Sequence, residues 1–333
     1  MIPGGGVFAK YLVDISKFNV DSAVLGKGAC GVVHKGKTPP TKKHPEPMDC
    51  AVKYLNAGSI KTNQEQMKFH NEIGCQVSLK HVAILPLIGY SIPFMGHGHY
   101  AVVTQLMKNG SLFDLIQKVG AGNAPDEWDT IRAINIFGIA AGMAYVHQKN
   151  IIHRDLKTEN VMLDENYYPK IADFGLSKVF EEGTQNQIEQ TLNIGTPTYM
   201  APEIIEGDTH YSNKVDVFAY SIILYELMTN NKPWSDKGNL TTFNLLKYVS
   251  EGQRPTIRDR EIPELYVELI NYCWDSNPEN RPTFLQMVKG FMDHQEEYFD
   301  MTLVDEEKFQ DYIEAATKDL DFSKLSEEEE KGE

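Results

Sequence analysis

Three glycines near the amino terminus stand at the spacing of a loop that could cradle phosphate groups. They are Gly26, Gly28 and Gly31 in the run LGKGACGVV. The run is not a P-loop, because no Lys-Ser or Lys-Thr pair follows a G-x-x-x-x-G pattern. In the dinucleotide-binding pattern a helix opens within the glycines, whereas the β-branched pair Val32 and Val33 favours a strand here. The glycines therefore predict a hairpin, either an ordinary turn or a lid that covers phosphates with its backbone N–H groups.

Three further segments hold most of the groups that could do chemistry. They read IHRDLKTENVM at 152–162, IADFGL at 171–176 and GTPTYMAPE at 195–203. With the glycine run and the AVK triplet at 51–53, they stand in the order typical of eukaryotic protein kinases, which the chain resembles over about 18–293. The resemblance implies transfer of the γ-phosphate of ATP to protein substrates, with ATP and Mg²⁺ as cofactors. It also implies the α+β, bilobal protein kinase fold, with a β-rich N-lobe that contains one main helix and an α-helical C-lobe.

The resemblance assigns a role to each reactive residue of the later segments. Asp155 would accept or orient the proton of the substrate hydroxyl, and Lys157 would neutralise the γ-phosphate during transfer. Asn160 and Asp173 would hold two Mg²⁺ ions, because this ion binds hard oxygen ligands. These residues fit a reaction in which negative charge spreads over the phosphoryl oxygens and the protein mainly positions groups and neutralises charge.

The same resemblance places the nucleotide in the first third of the chain. Lys53 would grip the α- and β-phosphates, and Glu72 would hold Lys53 from the helix predicted over 63–80. Glu72 keeps the spacing of the family between helix and following loop, while Glu65 is interpreted as a solvated charge. The residues that would cover the phosphates or surround the adenine are Gly26, Lys27, Gly28, Gly31, Val33, Ala51, Thr104, Gln105, Met107 and Met162. Ordinary core packing is the alternative for the apolar members of this set.

Three expectations concern the support of the site. Thr196 would reach toward Asp155 and shape the pocket for the acceptor hydroxyl. Glu203 would form a buried ion pair with Arg281. Asp216 would hold the backbone of the catalytic loop. The last two roles are structural and not catalytic.

The resemblance also indicates which hydroxyl is phosphorylated. Lys157 and the run GTPTY at 195–199 are typical of kinases that act on serine and threonine. The runs NGSL at 109–112 and CWDSNPENRP at 273–282 resemble the tyrosine kinases and the tyrosine-kinase-like (TKL) group. The combination predicts a TKL serine/threonine kinase.

Two alternatives to this class stay open. A dual-specificity kinase would also phosphorylate tyrosine, because hydroxyl choice depends on pocket depth as well as on Lys157 and Thr196. An ATP-binding pseudokinase scaffold would keep the fold without transfer. The sequence disfavours the scaffold, because none of the catalytic and metal-binding residues is lost.

Switching is predicted for the segment 177–193, which corresponds to the activation loop. It contains Thr184 and Thr191, and Arg154 stands beside the catalytic Asp155. In the family this arginine can bind a phosphate on the loop and order it. The hypothesis is that Thr191, with Thr184 as a second candidate, is phosphorylated by an upstream kinase or by autophosphorylation. A loop that is ordered without phosphate is the alternative.

Composition excludes several classes of protein. The 333 residues carry a net charge of −15, which disfavours nucleic acid as a partner because such proteins need a basic surface. The apolar runs are too short to span a bilayer, so no membrane partner is expected. Four cysteines without CxxC spacing favour thiols in a reducing compartment, which predicts a cytoplasmic location.

The order of patterns predicts four parts. These are an N-terminal extension (1–17), the kinase N-lobe (18–104), the kinase C-lobe (105–299) and an acidic C-terminal tail (300–333). Strands are predicted at 51–55 and 100–104, and helices at 63–80, 128–147 and 215–228. The tail is interpreted as solvated. A helix over 306–317, in a regulatory or docking segment, is the alternative.

Overall fold

Two units of different character make up the protein. The computed structural model describes residues 8–28, 31–42, 44–56, 60, 62–93, 99–174, 178–179, 196–208, 211–238, 240–258 and 262–325. One unit comprises Met1–Lys80 and Leu85–Lys108, and the other comprises His81–Ile84 and Asn109–Glu333. The first is a β-sheet with a helix and the second is mainly helical. The predicted α+β class is therefore confirmed.

The first unit is built on a five-stranded antiparallel sheet. Its strands are β1 (Asn19–Gly28), β2 (Gly31–Lys37), β3 (Asp49–Leu55), β4 (Leu87–Ser91) and β5 (Ala101–Gln105). They lie in the order β1-β2-β3-β5-β4, and helix α1 (Asn63–Ser78) follows β3 in the chain. The predicted strands and helix are confirmed, and so is the hairpin, because β2 begins at the last of the three glycines. The Pro-rich segment between β2 and β3 is a loop, because proline cannot donate to a sheet ladder.

Alternation along the central strands separates the two faces of this sheet. Cys50 and Val52 of β3 are buried together with Ala101 and Val103 of β5 on one face. Residues between them point to the other face, since successive side chains of a strand alternate. On that second face Val102 packs with the side chains of helix α1 in a cluster formed by Phe69, Ile73, Val77, Tyr90 and Val102.

The second unit consists mainly of helices. They are α2 (Leu112–Gly120), α3 (Trp128–Gln148), α4 (Pro202–Ile205), α5 (Lys214–Thr229), α6 (Thr242–Ser250), α7 (Glu264–Cys273), α8 (Phe284–Asp293), α9 (Gln295–Tyr298) and α10 (Glu306–Thr317). Short strands form two antiparallel pairs, β6 (Ile151–Ile152) with β9 (Lys178–Val179), and β7 (Val161–Leu163) with β8 (Pro169–Ile171). Helices α3 and α5 are buried almost all round, as their apolar sequences predict.

The acidic tail begins with a packed helix. Helix α10 confirms the alternative prediction for 306–317, and it buries Phe309, Tyr312 and Ile313. Burial of one large apolar side chain contributes about 1.5–3 kcal/mol, so these three side chains contribute substantially to the docking of the helix. The interpretation of the tail as solvated is therefore wrong for this helix, because its apolar face outweighs its charges.

The carboxyl end of α10 is held by a histidine from a distant part of the chain. His81 donates from Nε2 to the carbonyl oxygen of Ala316 at 2.7 Å and accepts from the amide of Ala83 at Nδ1. Its ring stacks on Tyr145 of α3. Burial lowers the pKa of His81, in accord with a neutral ring that uses both nitrogens.

None of the helices in the described parts of the chain has the length and apolarity needed to cross a membrane.

Candidate active site

Asp155 lies at the centre of a small polar network in the helical unit. Its Oδ2 accepts from Lys157 Nζ at 2.8 Å and from Asn160 Nδ2 at 2.9 Å, and its Oδ1 accepts from the hydroxyl of Thr196 at 3.2 Å. Lys157 Nζ also donates to Thr196 Oγ1 at 2.7 Å. The expectation that Thr196 reaches toward Asp155 is thus confirmed. The network therefore links two groups. The Asp155 carboxylate could accept a proton, and the Lys157 ammonium could face an anion.

The backbone of this segment is held by the buried carboxylate of Asp216 on α5. Asp216 accepts from the amides of His153 and Arg154 at 2.9 and 2.8 Å, and from His147 Nε2 at 2.8 Å. Arg154 has a φ of +67°, a conformation that costs free energy for a residue with a side chain. Burial alone would raise the pKa of Asp216, but its hydrogen bonds to His147 and to the His153 amide lower it. The predicted anchoring role of Asp216 is confirmed.

Asn160 and Asp173 are brought together by the backbone. The carbonyl oxygen of Asn160 accepts from the amide of Ala172 at 2.8 Å. Asp173 is the residue that follows Ala172, so this hydrogen bond keeps the Asn160 and Asp173 segments side by side. Asn160 directs its Nδ2 to Asp155, so its Oδ1 is the atom that could face a cation. Asp173 has a φ of +62°, and the next residue, Phe174, is buried against the His153 ring. Two oxygen-bearing side chains therefore stand beside the Asp155 network.

Four of the predicted nucleotide residues of the sheet unit share one face of the sheet. Val33 pairs with Lys53, and Ala51 pairs with Thr104. Paired residues of neighbouring strands point to the same side, and so do residues two apart on one strand. All four side chains therefore lie on one face. Lys53 also pairs with Val102, whose side chain packs against helix α1.

Helix α1 places Glu72 beside this face. Ile73, the next residue, is fully buried in the cluster that contains Val102. Glu72 itself is half-buried. The Lys53 strand and the Glu72 helix thus belong to one packed cluster of the sheet unit.

Two of the three glycines of the β1–β2 hairpin face open space. No described atom lies within 4 Å of a Cβ built at Gly26 or Gly28, whereas a Cβ at Gly31 would overlap the carbonyl oxygen of Tyr54. Gly31 is therefore required by the close approach of β3. Lys27, between the two open glycines, is exposed and points to the other face of the strand.

The remaining predicted residues are divided between the two units. In the sheet unit Gln105 ends β5, and its amide donates to the carbonyl oxygen of Pro86 at 3.1 Å. Met107 follows two residues later and is buried. In the helical unit Met162 lies on β7 and forms an isolated bridge with Ser111. The activation-loop threonines Thr184 and Thr191 lie outside the described residues.

A buried glutamate near the site was missed in the sequence. Glu226 on α5 accepts from the hydroxyl of Tyr199 at 2.6 Å and from that of Thr158 at 3.3 Å. The two hydroxyls are 2.9 Å apart. Burial raises the pKa of Glu226 to about 7. The only signal in the sequence is one glutamate within the apolar run of α5.

Glu226→Gln is expected to change how stability depends on pH. A carboxyl whose pKa lies near 7 in the folded state and at 4.5 otherwise binds its proton more tightly when folded, so stability falls as pH rises from about 4.5 to 7. Glutamine cannot titrate, yet its oxygen can still accept from Tyr199. The free energy of unfolding of the wild type should therefore fall relative to the variant across this range, by at most about 3 kcal/mol.

Urea unfolding of both proteins at pH 5, 6, 7 and 8 measures this difference. Glu268→Gln, at an exposed position on α7, is the control and should give parallel curves. Parallel curves for Glu226→Gln as well would contradict an elevated pKa in the folded state.

The predicted ion pair of the helical unit is also present. Arg281 donates to both carboxylate oxygens of Glu203, at 2.7 and 2.9 Å. The arginine side chain is fully buried. It donates further to the carbonyl oxygens of Asp275 and Lys214, so most of its N–H groups are satisfied.

Comparison with known proteins agrees with this arrangement. Residues 20–291 match the family described as protein tyrosine and serine/threonine kinase. The chain is 32% identical over 298 residues to dual specificity protein kinase splA of Dictyostelium discoideum, covering 85% of this chain and 12% of that protein. It is 34% identical over 242 residues to serine/threonine-protein kinase STY46 of Arabidopsis thaliana, covering 72% of this chain and 39% of that protein.

A third relative, the RGS domain-containing serine/threonine-protein kinase A of Dictyostelium discoideum, is 31% identical over 268 residues, which are 79% of this chain and 21% of that protein. The chain thus spans less than two fifths of the length of each of these relatives. The family uses ATP, typically with Mg²⁺, to phosphorylate proteins. The matched region covers most of the chain, and the predicted motifs contain the residues of the polar network around Asp155. The chain therefore belongs to the protein tyrosine and serine/threonine kinase family.

Proposed function

We propose that this protein is a serine/threonine protein kinase that transfers the γ-phosphate of ATP to protein substrates in intracellular signalling. The observation that carries the proposal is the network of Asp155, Lys157 and Thr196, in which a carboxylate, an ammonium and a hydroxyl lie within 3.2 Å of one another. The proposal extends to ATP and Mg²⁺ as the cofactors of this chain. The reaction needs positioning and charge neutralisation, and these groups supply both.

Each residue of the network would act at a defined atom. Asp155 would accept or orient the proton of the substrate hydroxyl while the hydroxyl oxygen attacks the γ-phosphorus. Lys157 would neutralise the charge that builds on the phosphoryl oxygens. Thr196 holds both side chains in place through its hydroxyl, and its position beside the attack site would favour an aliphatic hydroxyl as acceptor.

In the sheet unit the proposal assigns nucleotide binding to one face and its hairpin. Lys53 would bind the α- and β-phosphates with Glu72 as its support, and the backbone from Gly26 to Gly31 would cover the phosphates. Within this unit the adenine would be bounded by Val33, Ala51, Thr104, Gln105 and Met107. In the helical unit Met162 is assigned to nucleotide binding from the family resemblance. Lys27 would add positive charge near the hairpin.

The donor set fits Mg²⁺. Asn160 and Asp173 offer an amide oxygen and a carboxylate, and Mg²⁺ usually binds through one or two protein ligands together with substrate phosphates. When bound, Mg²⁺ neutralises charge on the β- and γ-phosphates. Asn160 keeps its oxygen available because its Nδ2 donates to the carbonyl oxygen and to Oδ2 of Asp155.

The finer classification is also a proposal. We assign the chain to the TKL group and propose the predicted division into an extension (1–17), an N-lobe (18–104), a C-lobe (105–299) and a tail (300–333). The buried Cys50 and Cys273 are free thiols, which supports a reducing compartment such as the cytoplasm. The relatives include both serine/threonine kinases and a dual specificity kinase by name. Dual specificity therefore stays the second candidate.

Transfer of labelled phosphate from ATP with Mg²⁺ to a generic basic protein tests the function. Phosphoamino-acid analysis then identifies the acceptor, and Asp155→Asn is the control. Label on serine and threonine that is lost in the variant is the expected result. Label on tyrosine as well would assign dual specificity. No transfer by the wild type or by Thr191→Glu, with ATP still bound, would favour the pseudokinase scaffold.

We further propose that phosphorylation of Thr191, or secondarily Thr184, switches the enzyme on. Arg154 donates from Nη1 to the Tyr211 hydroxyl, and within the described residues its buried Nε has no hydrogen-bond partner. A loop phosphate would supply charge-assisted hydrogen bonds to such a guanidinium.

Phosphopeptide mass spectrometry of active enzyme is expected to find phosphate on Thr191. Phosphatase treatment should then lower kcat at least about tenfold, because the loop loses the charge that orders it. Thr229→Ala, at a threonine that ends α5 and is not part of the 177–193 segment, should leave the phosphate dependence unchanged. Full activity with both loop threonines unmodified would refute the switch.

A further inference from the structure

Residues 8–18, which precede the matched family region of 20–291, cover the edge of the sheet. Strand β4 is the last strand in the sheet order. Leu12 forms a parallel bridge with Tyr90 of β4, and the amide of Val13 donates to the Tyr90 carbonyl oxygen at 2.9 Å. We call residues 8–18 the edge strap. Covering an edge strand prevents pairing with other chains, but the packing of the edge strap extends beyond the edge.

The edge strap packs on both faces of the sheet. Phe8 and Tyr11 pack against the cluster that joins helix α1 to the sheet. Val13, Ile15 and Phe18 pack against the cluster on the opposite face. The chain therefore passes around β4 and is anchored by apolar side chains on each side.

Two glycines receive the edge strap. A Cβ at Gly89 of β4 would lie 2.8 Å from the Tyr11 carbonyl oxygen and 2.5 Å from Cγ1 of Val13, so a side chain at this position excludes the observed path. A Cβ at Gly74 of α1 would lie 3.4 Å from Cζ of Phe8. The Phe8 ring thus lies directly on the backbone of the helix. The edge strap therefore approaches β4 at Gly89 and α1 at Gly74, two positions that have no side chain.

We propose that the edge strap is a positioning element for phosphoryl transfer, in which Phe8 and Tyr11 hold helix α1 against the sheet and thereby keep Glu72 in place to support Lys53. This inference rests on the proposed kinase function. Gly74, under the Phe8 ring, is two residues from Glu72.

The same cluster reaches the lysine. It contains Val102, the cross-strand partner of Lys53, so one packed group of side chains connects the edge strap to the neighbour of the Lys53 strand and to the helix that carries Glu72. A shift of about 1 Å at a catalytic group can lower the rate 100-fold. Loosening α1 should therefore lower kcat more than it changes the KM for the protein substrate.

Phe8→Ala tests the contact. It is expected to lower kcat about tenfold with little change in the KM for the protein substrate, and Phe8→Leu should recover most of the loss by refilling the space. Leu12→Ala is the matched control, because Leu12 belongs to the edge strap but its side chain is 41% exposed. Loss of activity in Leu12→Ala equal to that in Phe8→Ala would contradict a specific role for the ring.

A double-mutant cycle separates positioning from general weakening of the fold. If the edge strap acts through Glu72, adding Phe8→Ala to Glu72→Gln should lower single-turnover transfer less than about twofold further, because coupled residues are not additive. A full additional tenfold loss would overturn the proposal.

Hydrogen exchange gives a readout that needs no transfer. The amides of residues 63–78 should exchange faster in Phe8→Ala than in the wild type. They should also exchange faster in Gly89→Ala, because a side chain on β4 displaces the edge strap from the sheet. Exchange in Leu12→Ala should be unchanged. Inactivity of both the wild type and Thr191→Glu would refute the proposed function, and the exchange rates would then still test the edge strap. Unchanged exchange in both variants would refute the edge strap itself.

Discussion

Asp155→Asn is expected to lower kcat for transfer to serine or threonine about 10³-fold, while the KM for ATP changes less than about threefold. A positioned proton acceptor contributes roughly 10²–10⁴ to the rate, and an amide nitrogen cannot accept the proton. Both oxygens of Asp155 accept hydrogen bonds. An asparagine that keeps its oxygen toward Lys157 and Asn160 would turn its NH₂ group toward the Thr196 hydroxyl, which can also accept a hydrogen bond. The variant should therefore keep much of the network and lose its base.

Steady-state kinetics with ATP and a basic protein substrate measures this loss. Asp129→Asn is the matched control, because Asp129 is an aspartate on α3 that pairs with Arg132 at the surface and has no part in the network. It should retain nearly full kcat. If Asp155→Asn kept more than a tenth of the wild-type kcat, Asp155 would not be the group that handles the proton.

The chemistry of the helical site could be predicted because its parts are close together in the sequence. Asp155, Lys157 and Asn160 fall within six residues, and their order fixes which side chains meet once the segment is held. The structure adds how it is held. Asp216 comes from α5, more than 50 residues later, and accepts from two amides of the segment. That anchoring was expected only through the resemblance, because no local pattern connects the two.

Glu226 could not be predicted, because its environment is made by distant residues. Its partners Tyr199 and Thr158 lie 27 and 68 residues away in the chain. In the sequence it is one polar residue on an apolar helix, which fits a solvated face equally well. Burial on all sides of α5 is a consequence of the tertiary fold, and that burial is the main reason why the pKa of Glu226 is raised, with the nearby Glu159 carboxylate adding to it.

The packing of α10 and of the edge strap against the rest of the protein was not predicted, for a related reason. The apolar residues of α10 share a helical face and predicted the helix, but the many acidic residues favoured a solvated interpretation. What decides the outcome is the surface of α3 that receives Phe309 and Tyr312, including Gly138, which leaves room for the tyrosine. The edge strap is similar. Its apolar side chains are visible in the sequence, whereas Gly89, the residue that admits it, is more than 70 residues away.

Arg281→Met is expected to lower the free energy of unfolding by about 3–5 kcal/mol. The change removes the guanidinium but leaves the Glu203 carboxylate, only 10% exposed, without its partner. The carbonyl oxygens of Asp275 and Lys214 lose donors at the same time. A buried group left without its hydrogen bond costs more than the bond itself contributes. The whole domain has a stability of only about 5–15 kcal/mol, so the variant should be marginal at 37 °C.

Arg254→Met is the matched control for this change. Arg254 lies over the same Phe218 ring as Arg281, at 5.1 Å against 5.2 Å. Its hydrogen bonds go to carbonyl oxygens and a serine hydroxyl and not to a carboxylate. Its loss should therefore cost less, about 1–2 kcal/mol.

The double variant Arg281→Met with Glu203→Gln distinguishes the two sources of the loss. If the unpaired charge dominates, removing it should recover about 1–2 kcal/mol relative to Arg281→Met alone. Urea unfolding of the wild type, Arg281→Met, Arg254→Met and the double variant gives these differences in the free energy of unfolding. Equal stabilities of the single and double variants would mean that lost packing and lost carbonyl partners, and not the stranded carboxylate, account for the effect. Arg281 would then support this part of the helical unit mainly by joining the segments that carry Asp275 and Lys214.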